Sequence, residues 1–383
     1  MFLLLTAAVA FGLLAIAWVV YPAAMWLRAR TGRGSTGTSR TPDAAACVVV
    51  ATRDDPAFAV ERVRNLRGGD YPVDRLQVVI AVDPGAPFPF EAYHDALAGL
   101  AEVVPGDRPG GKAATLNAGV RAAAGCDALV FADVGQEFSP DAIRRLVLAL
   151  ESGLEGVTGR YTHHRTDAVM TAWSDFEAVI RAGQAASRSV VSATGAVLAM
   201  RPAYWRDLPA GLICDDLFTG LSIVRQGGRV GFCPEAVAFD PRPFSQDQQF
   251  ARRARTLTGL IQYCAVVPGV LLPWRNPVWL HFVVHKLLRL LTPVLLAVGL
   301  LATLVFLALR VPMALSAVAA ATLLVVLLGV VIAPAAFRRI RNQALWMLRL
   351  QLVPVVAIAN GLRGRWAVWN PTPQGRGELP HGT

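Results

Sequence analysis

The stretch from Gly110 to Gly119, GGKAATLNAG, together with the apolar run 128–132 and Asp133 behind it, decides the fold of this chain. It reads as a glycine turn that carries a lysine, a short helix, and a buried strand that ends in a carboxylate. In open α/β sheets, ligands bind at that end of the strands. Lys112 is one of only two lysines among 37 basic residues, which indicates a compact charge placed for a ligand.

Strand and helix signals alternate on both sides of this stretch. Buried strands are predicted at 46–51, 76–82 and 128–132, a strand-like stretch interrupted by Thr194-Gly195 at 190–200, and a further strand at 229–233. Helices are predicted at 56–67, 112–123, 139–152, 171–186, 215–225 and 246–264. Such alternation is typical of an α/β domain with a mainly parallel sheet.

The ends of the chain are too apolar for an ordinary soluble protein, since 54% of all residues are hydrophobic and 17% charged. Residues 1–28 predict an N-terminal transmembrane anchor, and residues 29–45 a polar linker. A secretory signal is less favoured because no basic residue precedes the apolar run. Arg28, Arg30 and Arg33 follow it and place the next domain in the cytoplasm.

The C-terminal part predicts a second membrane region, over 286–362. Residues 290–309 and 311–337 are two clear helices, whereas a third crossing at 343–362 stays open because the segment is short and contains Pro354. Residues 246–285 are predicted as amphipathic interface helices, and 363–383 as a tail.

The net charge and the cysteine content indicate which partners and which compartment to expect. The net charge of +10 is explained by arginines that flank the membrane and attract anionic lipid. No nucleic-acid partner is expected, because no reader motif is present. The five cysteines show no CxxC spacing and are predicted to be unpaired core residues in a reducing compartment.

Six short motifs occur in a defined order along the chain. They are 51–55 (ATRDD), 79–83 (VIAVD), 111–119 (GKAATLNAG), Asp133, 194–196 (TGA) and 215–217 (DDL). In this order, and flanked by two membrane regions, they resemble membrane-bound family 2 glycosyltransferases. These are GT-A enzymes of the group that includes cellulose, chitin, hyaluronan and poly-N-acetylglucosamine synthases.

The resemblance implies a GT-A, nucleotide-diphospho-sugar transferase-like domain over 46–245 on the cytoplasmic face of a bacterial-type inner membrane. Its implied activity is inverting transfer of a sugar from a nucleotide-diphosphate donor, with a UDP-sugar expected, to a lipid or glycan acceptor. Processive polysaccharide synthesis with export is the alternative within this class. An inactive membrane scaffold that binds a partner synthase is the alternative outside it. A partner subunit or an oligomer fits the small number of crossings.

The nucleotide-sugar side is implied for Thr52, Arg53, Asp83, Lys112 and Asp133. Plainer readings exist for part of this set. Asp83 can be a turn former, Lys112 a solvated turn lysine, and Asp54-Asp55, which follow Arg53, a helix cap. Asp133 holds the first position of the Asp-x-Asp metal motif, but Gly135 replaces the second acid. Either Asp133, phosphate oxygens and water hold Mg²⁺ or Mn²⁺, or the enzyme relies less on metal.

On the acceptor side, the family places its catalytic base in an acidic pair that opens a helix, which here is Asp215-Asp216. Asp216 is favoured as the base over Asp215; helix capping is the plainer reading. Thr194 and Gly195 match the acceptor-side turn, or form a tight bend between strands.

A basic segment lies where processive synthases carry Gln-x-x-Arg-Trp. Arg252, Arg253 and Arg255 are implied on the acceptor or diphosphate side, although a basic helix resting on lipid headgroups looks the same. The tryptophan of that motif is missing in either register, which disfavours synthesis of a long polymer.

Overall fold

The computed structural model describes residues 1–31, 40–163, 168–242, 244–310, 313–332 and 338–366. The chain divides into two units. The α/β unit comprises Ala23–Pro243 and Gln262–His281, and the helical unit comprises Met1–Pro22, Phe244–Ile261 and Phe282–Arg365. Arg33, part of the predicted linker 29–45, the ends of the predicted helix 311–337 and most of the predicted tail 363–383 lie outside the described residues.

Within the described part of the chain, the α/β unit contains an eight-stranded sheet with the order β3-β2-β1-β4-β7-β6-β8-β5. The strands are β1 Ala46–Thr52, β2 Leu76–Val82, β3 Glu102–Pro105, β4 Ala128–Phe131, β5 Glu137–Phe138, β6 Gly156–His163, β7 Leu198–Met200 and β8 Val230–Asp240.

The sheet is mixed. β1 runs parallel to β2 and β4, and β2 runs parallel to β3. In contrast, β7 is antiparallel to both β4 and β6, and β5 is antiparallel to β8. In the second half, β6 runs parallel to β8. The prediction of a mainly parallel sheet therefore holds from β3 to β4 and for the pair of β6 and β8, and the other pairings are antiparallel. The end of the predicted strand-like stretch 190–200 forms β7, but its antiparallel direction was not predicted. Strand β5 was missed because two residues are too short for a periodic pattern.

The helices confirm most of the predicted segments within one to three residues. They are α1 Phe2–Ala15, α2 Tyr21–Thr31, α3 Pro56–Arg67, α4 Phe90–Ala96, α5 Lys112–Ala122, α6 Ala142–Glu151, α7 Ala168–Ser187, α8 Asp215–Arg225, α9 Gln246–Val266, α10 Trp279–Phe282, α11 Thr292–Arg310, α12 Met313–Ile332, α13 Arg338–Leu350 and α14 Leu352–Leu362.

Helix α3 shows how local chemistry sets these bounds. Asp55 caps it by accepting a hydrogen bond from the Ala57 amide at 2.9 Å, and Pro56 fills the first helical position. Val63 and Leu66 on its inner face are buried in the core. The capping interpretation is thus correct for Asp55.

The parallel register gathers the functional loops at one edge of the sheet. Thr52 lies opposite Val82, so the loops after β1 and β2 leave the sheet side by side. Helix α5 packs closely behind them, because a Cβ at Gly119 would lie 2.6 Å from Val49 Cγ1. Glycine at this point lets α5 lie directly on the sheet and fixes where its first residue, Lys112, projects.

The helical unit carries the apolar segments. Within the described residues, three helices are long and apolar enough to cross a membrane: Phe2–Thr31, Thr292–Arg310 and Arg341–Leu362. A π-helical segment, Ile16–Val20, joins α1 to α2, and the Trp18 indole donates a hydrogen bond to Thr292 Oγ1 at 2.9 Å. Polar contacts of this kind hold apolar helices together where the hydrophobic effect between them is weak.

One expectation about the cysteines was wrong. Cys47 on β1 and Cys126 just before β4 form a disulfide, with Cα atoms 5.8 Å apart, whereas Cys214, Cys233 and Cys264 are free thiols. The pair is 79 residues apart in sequence. Only the pairing of β1 with β4 brings the two residues together, and sequence spacing does not reveal it.

Candidate functional site

Lys112 lies at the centre of a charge cluster that joins three separate motifs. Its Nζ lies 2.8 Å from Asp133 Oδ1 and 3.1 Å from Asp215 Oδ2. Gly110 and Gly111 precede it with φ of +96° and +89°, a region that only glycine adopts easily. The glycines therefore let the chain turn so that α5 begins with its lysine facing both acids.

Charge pairing decides the protonation states in this cluster. Burial alone would lower the pKa of Lys112, but the Asp133 and Asp215 carboxylates outweigh it and raise the pKa. Burial alone would raise the pKa of Asp133, and the Lys112 ammonium outweighs it and lowers the pKa. Lys112 and Asp133 are thus both ionised at neutral pH.

Asp83 holds the turn that carries Lys112. Its Oδ1 accepts from the Gly85 amide at 2.7 Å, and its Oδ2 accepts from the Gly111 amide at 2.6 Å and from the Thr115 hydroxyl at 3.3 Å. The side chain is buried, so these bonds satisfy a carboxylate that would otherwise be costly to desolvate. Asp83 therefore positions the Lys112 turn; its contact with a nucleotide stays a prediction.

A cavity of about 450 Å³ opens beside Asp83. Phe88, Phe90 and several prolines line it, with Arg108 contributing the basic group. Thr52 is buried at the neighbouring strand end, where its Oγ1 accepts from the Asp54 amide at 3.1 Å and its carbonyl accepts from the Asp83 amide at 2.8 Å. Arg53 follows Thr52 in the same loop. Rigid apolar walls with a few polar groups are typical of small-molecule sites.

Gly195 brings the predicted acceptor-side turn against the acidic pair. A Cβ at this position would lie 3.3 Å from Asp216 Cβ, 3.5 Å from Asp215 Oδ2 and 3.8 Å from Lys112 Nζ. Its neighbour Thr194 donates its amide to Thr158 Oγ1 at 2.9 Å. Within the described residues, the Thr194 hydroxyl is buried without a hydrogen-bond partner. The lack of a side chain at 195 lets this turn lie directly against the two acids and Lys112.

The two acids of the pair have different contacts in the first turn of α8. Asp215 forms the ion pair with Lys112. Asp216 is half-buried, and its Oδ1 accepts from the Leu217 amide at 2.8 Å. Asp215 is thus part of the cationic cluster, whereas Asp216 lies beside it, next to Gly195.

Sequence reasoning missed Arg242 and Asp240. Arg242 forms a bidentate pair with the buried Asp240, with Nε–Oδ1 and Nη2–Oδ2 distances of 2.9 Å, and Tyr161 donates to the same carboxylate at 2.6 Å. A Cβ at Gly135 would lie 2.5 Å from Arg242 Nη1. The guanidinium therefore packs on the backbone where the Asp-x-Asp motif has its second acid. The glycine itself was the only signal in the sequence.

Asp240 should make the fold sensitive to acid. Burial alone would raise its pKa, but hydrogen bonds and charge from Arg242 outweigh burial and lower the pKa from 3.8 to about 2. The stability it contributes is present above pH 4 and is lost as the pH falls from 4 through 2; the shift is worth roughly 2 kcal/mol. Thermal melting of Asp240→Asn between pH 7 and 3 should show a deficit that narrows below pH 4.

Asp107→Asn is the matched control for this prediction. Asp107 pairs with Arg121 through both oxygens, but it lies at the surface, where such pairs contribute about 0–1 kcal/mol. An equal loss of melting temperature in both variants, or a deficit in Asp240→Asn that does not change with pH, would contradict the assignment.

The residues present do not form a protein-built metal site. Within the described ranges, no group of three or more His, Cys, Asp or Glu side chains could hold a metal ion. Asp133 is engaged by Lys112, and Gly135 offers no ligand. A hard divalent cation prefers several oxygen ligands, and the protein supplies one at this position.

The three predicted arginines of α9 belong to the helical unit. The Arg252 guanidinium lies 4.0 Å from the centre of the Phe244 ring, and Arg253 and Arg255 lie on the same helix. Their role at the acceptor or diphosphate stays a prediction.

Comparisons with known proteins show the family and the fold of the chain. The family model "Glycosyltransferase like family 2" matches residues 42–259, more than half of the chain. A search of the curated proteins gives no match.

Among solved structures, the mannosyltransferase PcManGT from Pyrobaculum calidifontis, solved with GDP-Man and Mn²⁺, matches with a TM-score of 0.66 at 21% identity. The match covers 94% of this chain and 99% of that one. At this identity the match supports a shared GT-A-like fold. With the family model, it follows that the chain belongs to glycosyltransferase family 2 and is an enzyme that transfers a sugar from a nucleotide donor.

Proposed function

We propose that this protein is an inverting glycosyltransferase that moves a sugar from a nucleotide-diphosphate donor to a lipid or glycan acceptor at a membrane surface. One observation carries the proposal: Lys112, Asp133 and Asp215 meet at the sheet edge, and the Gly195 turn lies against the adjacent Asp216. A cation for a leaving diphosphate and a carboxylate for an attacking hydroxyl thus lie side by side.

The reaction assigns one step to each group. The Asp216 carboxylate takes the proton from the acceptor hydroxyl as its oxygen attacks C1 of the sugar. The bond between C1 and the phosphate oxygen breaks, and the nucleoside diphosphate leaves with the electron pair. Lys112 stabilises the negative charge on that leaving group, the electrostatic share of catalysis. Attack from the side opposite the leaving group inverts the configuration at C1.

The donor base is assigned to the cavity beside Asp83. Its walls of Phe88, Phe90 and proline suit a flat aromatic ring, and it opens next to the turn that carries Lys112. UDP-sugars are the donors expected from the sequence. PcManGT was solved with GDP-Man, so GDP-sugars are tested as donors as well. It was also solved with Mn²⁺, so the assay is run with and without a divalent metal.

The acceptor is assigned to the membrane because of the apolar helices. Phe2–Thr31, Thr292–Arg310 and Arg341–Leu362 have the length and composition of membrane spans, and Arg28 and Arg30 end the first of them. By the positive-inside rule, these arginines support a cytoplasmic position of the α/β unit, at a bacterial-type inner membrane. Membership in the cellulose and hyaluronan synthase group is part of this proposal.

The test is turnover of UDP-, GDP- and dTDP-sugars by the full chain in native-lipid nanodiscs, with membrane-lipid extract as acceptor. Each donor is assayed with Mn²⁺, with Mg²⁺ and with chelator. We expect release of one nucleoside diphosphate and a glycosylated product with inverted anomeric configuration by NMR. A retained configuration would contradict the mechanism. No release from any donor in any condition would favour a scaffold, and long polymer would favour processive synthesis.

A further inference from the structure

We propose that Arg242 takes the place of a metal ion in this enzyme, so that the diphosphate of the donor is bound by Lys112 and Arg242 without a divalent cation. The proposal rests on the proposed function, because it concerns the same diphosphate. It goes further in naming a residue and in making the reaction independent of metal.

The position of the guanidinium is the first argument. Arg242 Nη1 lies 2.5 Å from the point that a Cβ at Gly135 would occupy. An acidic side chain at 135 would therefore collide with the guanidinium unless Arg242 moved. The change from acid to glycine removes one negative charge, and the guanidinium adds a positive charge at the same point.

The second argument is that Arg242 is held firmly. Asp240 fixes it through Nε and Nη2, and Asp240 is itself fully buried and accepts from Tyr161 and Gln136. Nη1, the atom nearest Gly135, does not take part in that bidentate pair. A guanidinium with a fixed plane presents its N–H groups to a phosphate in one geometry, as a preorganised site requires.

A second buried arginine, Arg62, lies beside the same loop after β4. Arg62 is 2% exposed, and its guanidinium lies 4.3 Å from the centre of the Phe138 ring. Within the described part of the chain, its Nε and Nη2 have no hydrogen-bond partner. Arg62, Gly135 and Arg242 line one cavity of about 90 Å³.

Burial of the Arg62 guanidinium costs free energy, because no carboxylate among the residues that the structure describes accepts from its Nε and Nη2. A nearby anion would offset this desolvation cost. Burial lowers the pKa of Arg62 to about 9, with Asp133 and Glu137 opposing the shift, so it stays charged at neutral pH. Two arginines therefore raise the positive potential at the loop where the family has its metal.

The charge balance at Lys112 is the third argument. Asp133 and Asp215 already offset this single ammonium. A diphosphate adds at least two negative charges, so it needs cations beyond Lys112. Arg62 on α3 and Arg242 just after β8 are the arginines that line the cavity beside the loop after β4.

The experiment measures binding of UDP and GDP to the full chain in nanodiscs by titration calorimetry, with UMP and GMP as the matched monophosphates. Each titration is run in EDTA and in Mn²⁺. The variants are Arg242→Gln and the double variant Asp240→Asn/Arg242→Gln, which removes both charges of the buried pair and protects the fold. Arg121→Gln, which removes a surface arginine whose Nη2 donates to both oxygens of Asp107, is the control.

We expect wild type to bind a nucleoside diphosphate in EDTA, with Kd changed less than about threefold by Mn²⁺. Both Arg242 variants should bind the diphosphate at least about tenfold more weakly, the size of effect expected from a lost charge-assisted hydrogen bond, with the monophosphate and the control unchanged. Electron paramagnetic resonance should detect no stoichiometric Mn²⁺ on the nucleotide complex of wild type.

Two results would overturn the proposal: binding that EDTA abolishes and Mn²⁺ restores, or equal diphosphate affinity in wild type and both Arg242 variants. In either case the proposed glycosyltransferase function would stand, since the donor would still bind. If wild type bound no nucleoside diphosphate and consumed no donor with any metal, the proposed function and this inference would fall together.

Discussion

Asp216→Asn should lower kcat for sugar transfer by about 10³-fold, within the range that a positioned general base contributes. The asparagine has nearly the shape of the aspartate. Its side-chain oxygen can still accept the hydrogen bond that the Leu217 amide donates to Asp216 Oδ1 at 2.8 Å. It cannot take a proton from an acceptor hydroxyl. Steady-state rates of nucleotide release with acceptor present measure the loss, and calorimetric titration should find donor affinity within about threefold of wild type.

Asp215→Asn is the matched comparison, because it changes the neighbouring acid of the same helical turn. Asp215 lies 3.1 Å from Lys112 Nζ, so its loss disturbs the cationic cluster. We expect a change in donor affinity there and a smaller loss of kcat than in Asp216→Asn. The opposite pattern, with the greater loss of kcat in Asp215→Asn, would transfer the role of base to Asp215.

The sequence was sufficient for the part of the site that lies on long, regular elements. Lys112 follows a glycine turn, Asp133 follows a buried strand, and the acidic pair opens a helix. Each of these three features has a local signal in the sequence. The ends of parallel strands meet at one edge, so a strand-end acid and a turn lysine could be expected together. The structure places Lys112 within 3.1 Å of both Asp133 and Asp215.

What the sequence could not show depends on pairing between distant segments. Arg242 reaches Gly135 only because β8, which ends at Asp240, pairs with the two-residue strand β5 just beyond Gly135. The Asp83 carboxylate accepts from the Gly111 amide across 28 residues of chain, a contact that the sequence did not show, and its contact with a nucleotide stays a prediction. Propensity and spacing describe neighbours in sequence, whereas these contacts are set by sheet order.

Lys112→Met should weaken binding of the donor and slow its turnover, with a combined loss in kcat/KM of about 10²–10³-fold, as for removal of one preorganised donor to a developing anion. The change leaves Asp133 and Asp215, which both face the ammonium, without the cation between them. The repulsion then acts on the diphosphate as well. Lys112→Arg should not restore full activity, because a planar guanidinium cannot take the place of a compact ammonium that lies 2.8 Å from Asp133 and 3.1 Å from Asp215.

The second lysine of the chain is the natural control for this prediction. Lys286 lies in the π-helical segment Val283–Leu288 of the helical unit, so Lys286→Met removes the same charge and adds the same side chain outside the cluster. Rates with donor and acceptor, and binding of UDP or GDP, are measured for both variants in nanodiscs. Activity of Lys112→Met close to wild type, or equal losses in the two variants, would mean that the α5 lysine does not bind the diphosphate. If activity is lost in Lys112→Met and is full in Lys286→Met, the positive charge that stabilises the leaving group is the one at the glycine turn.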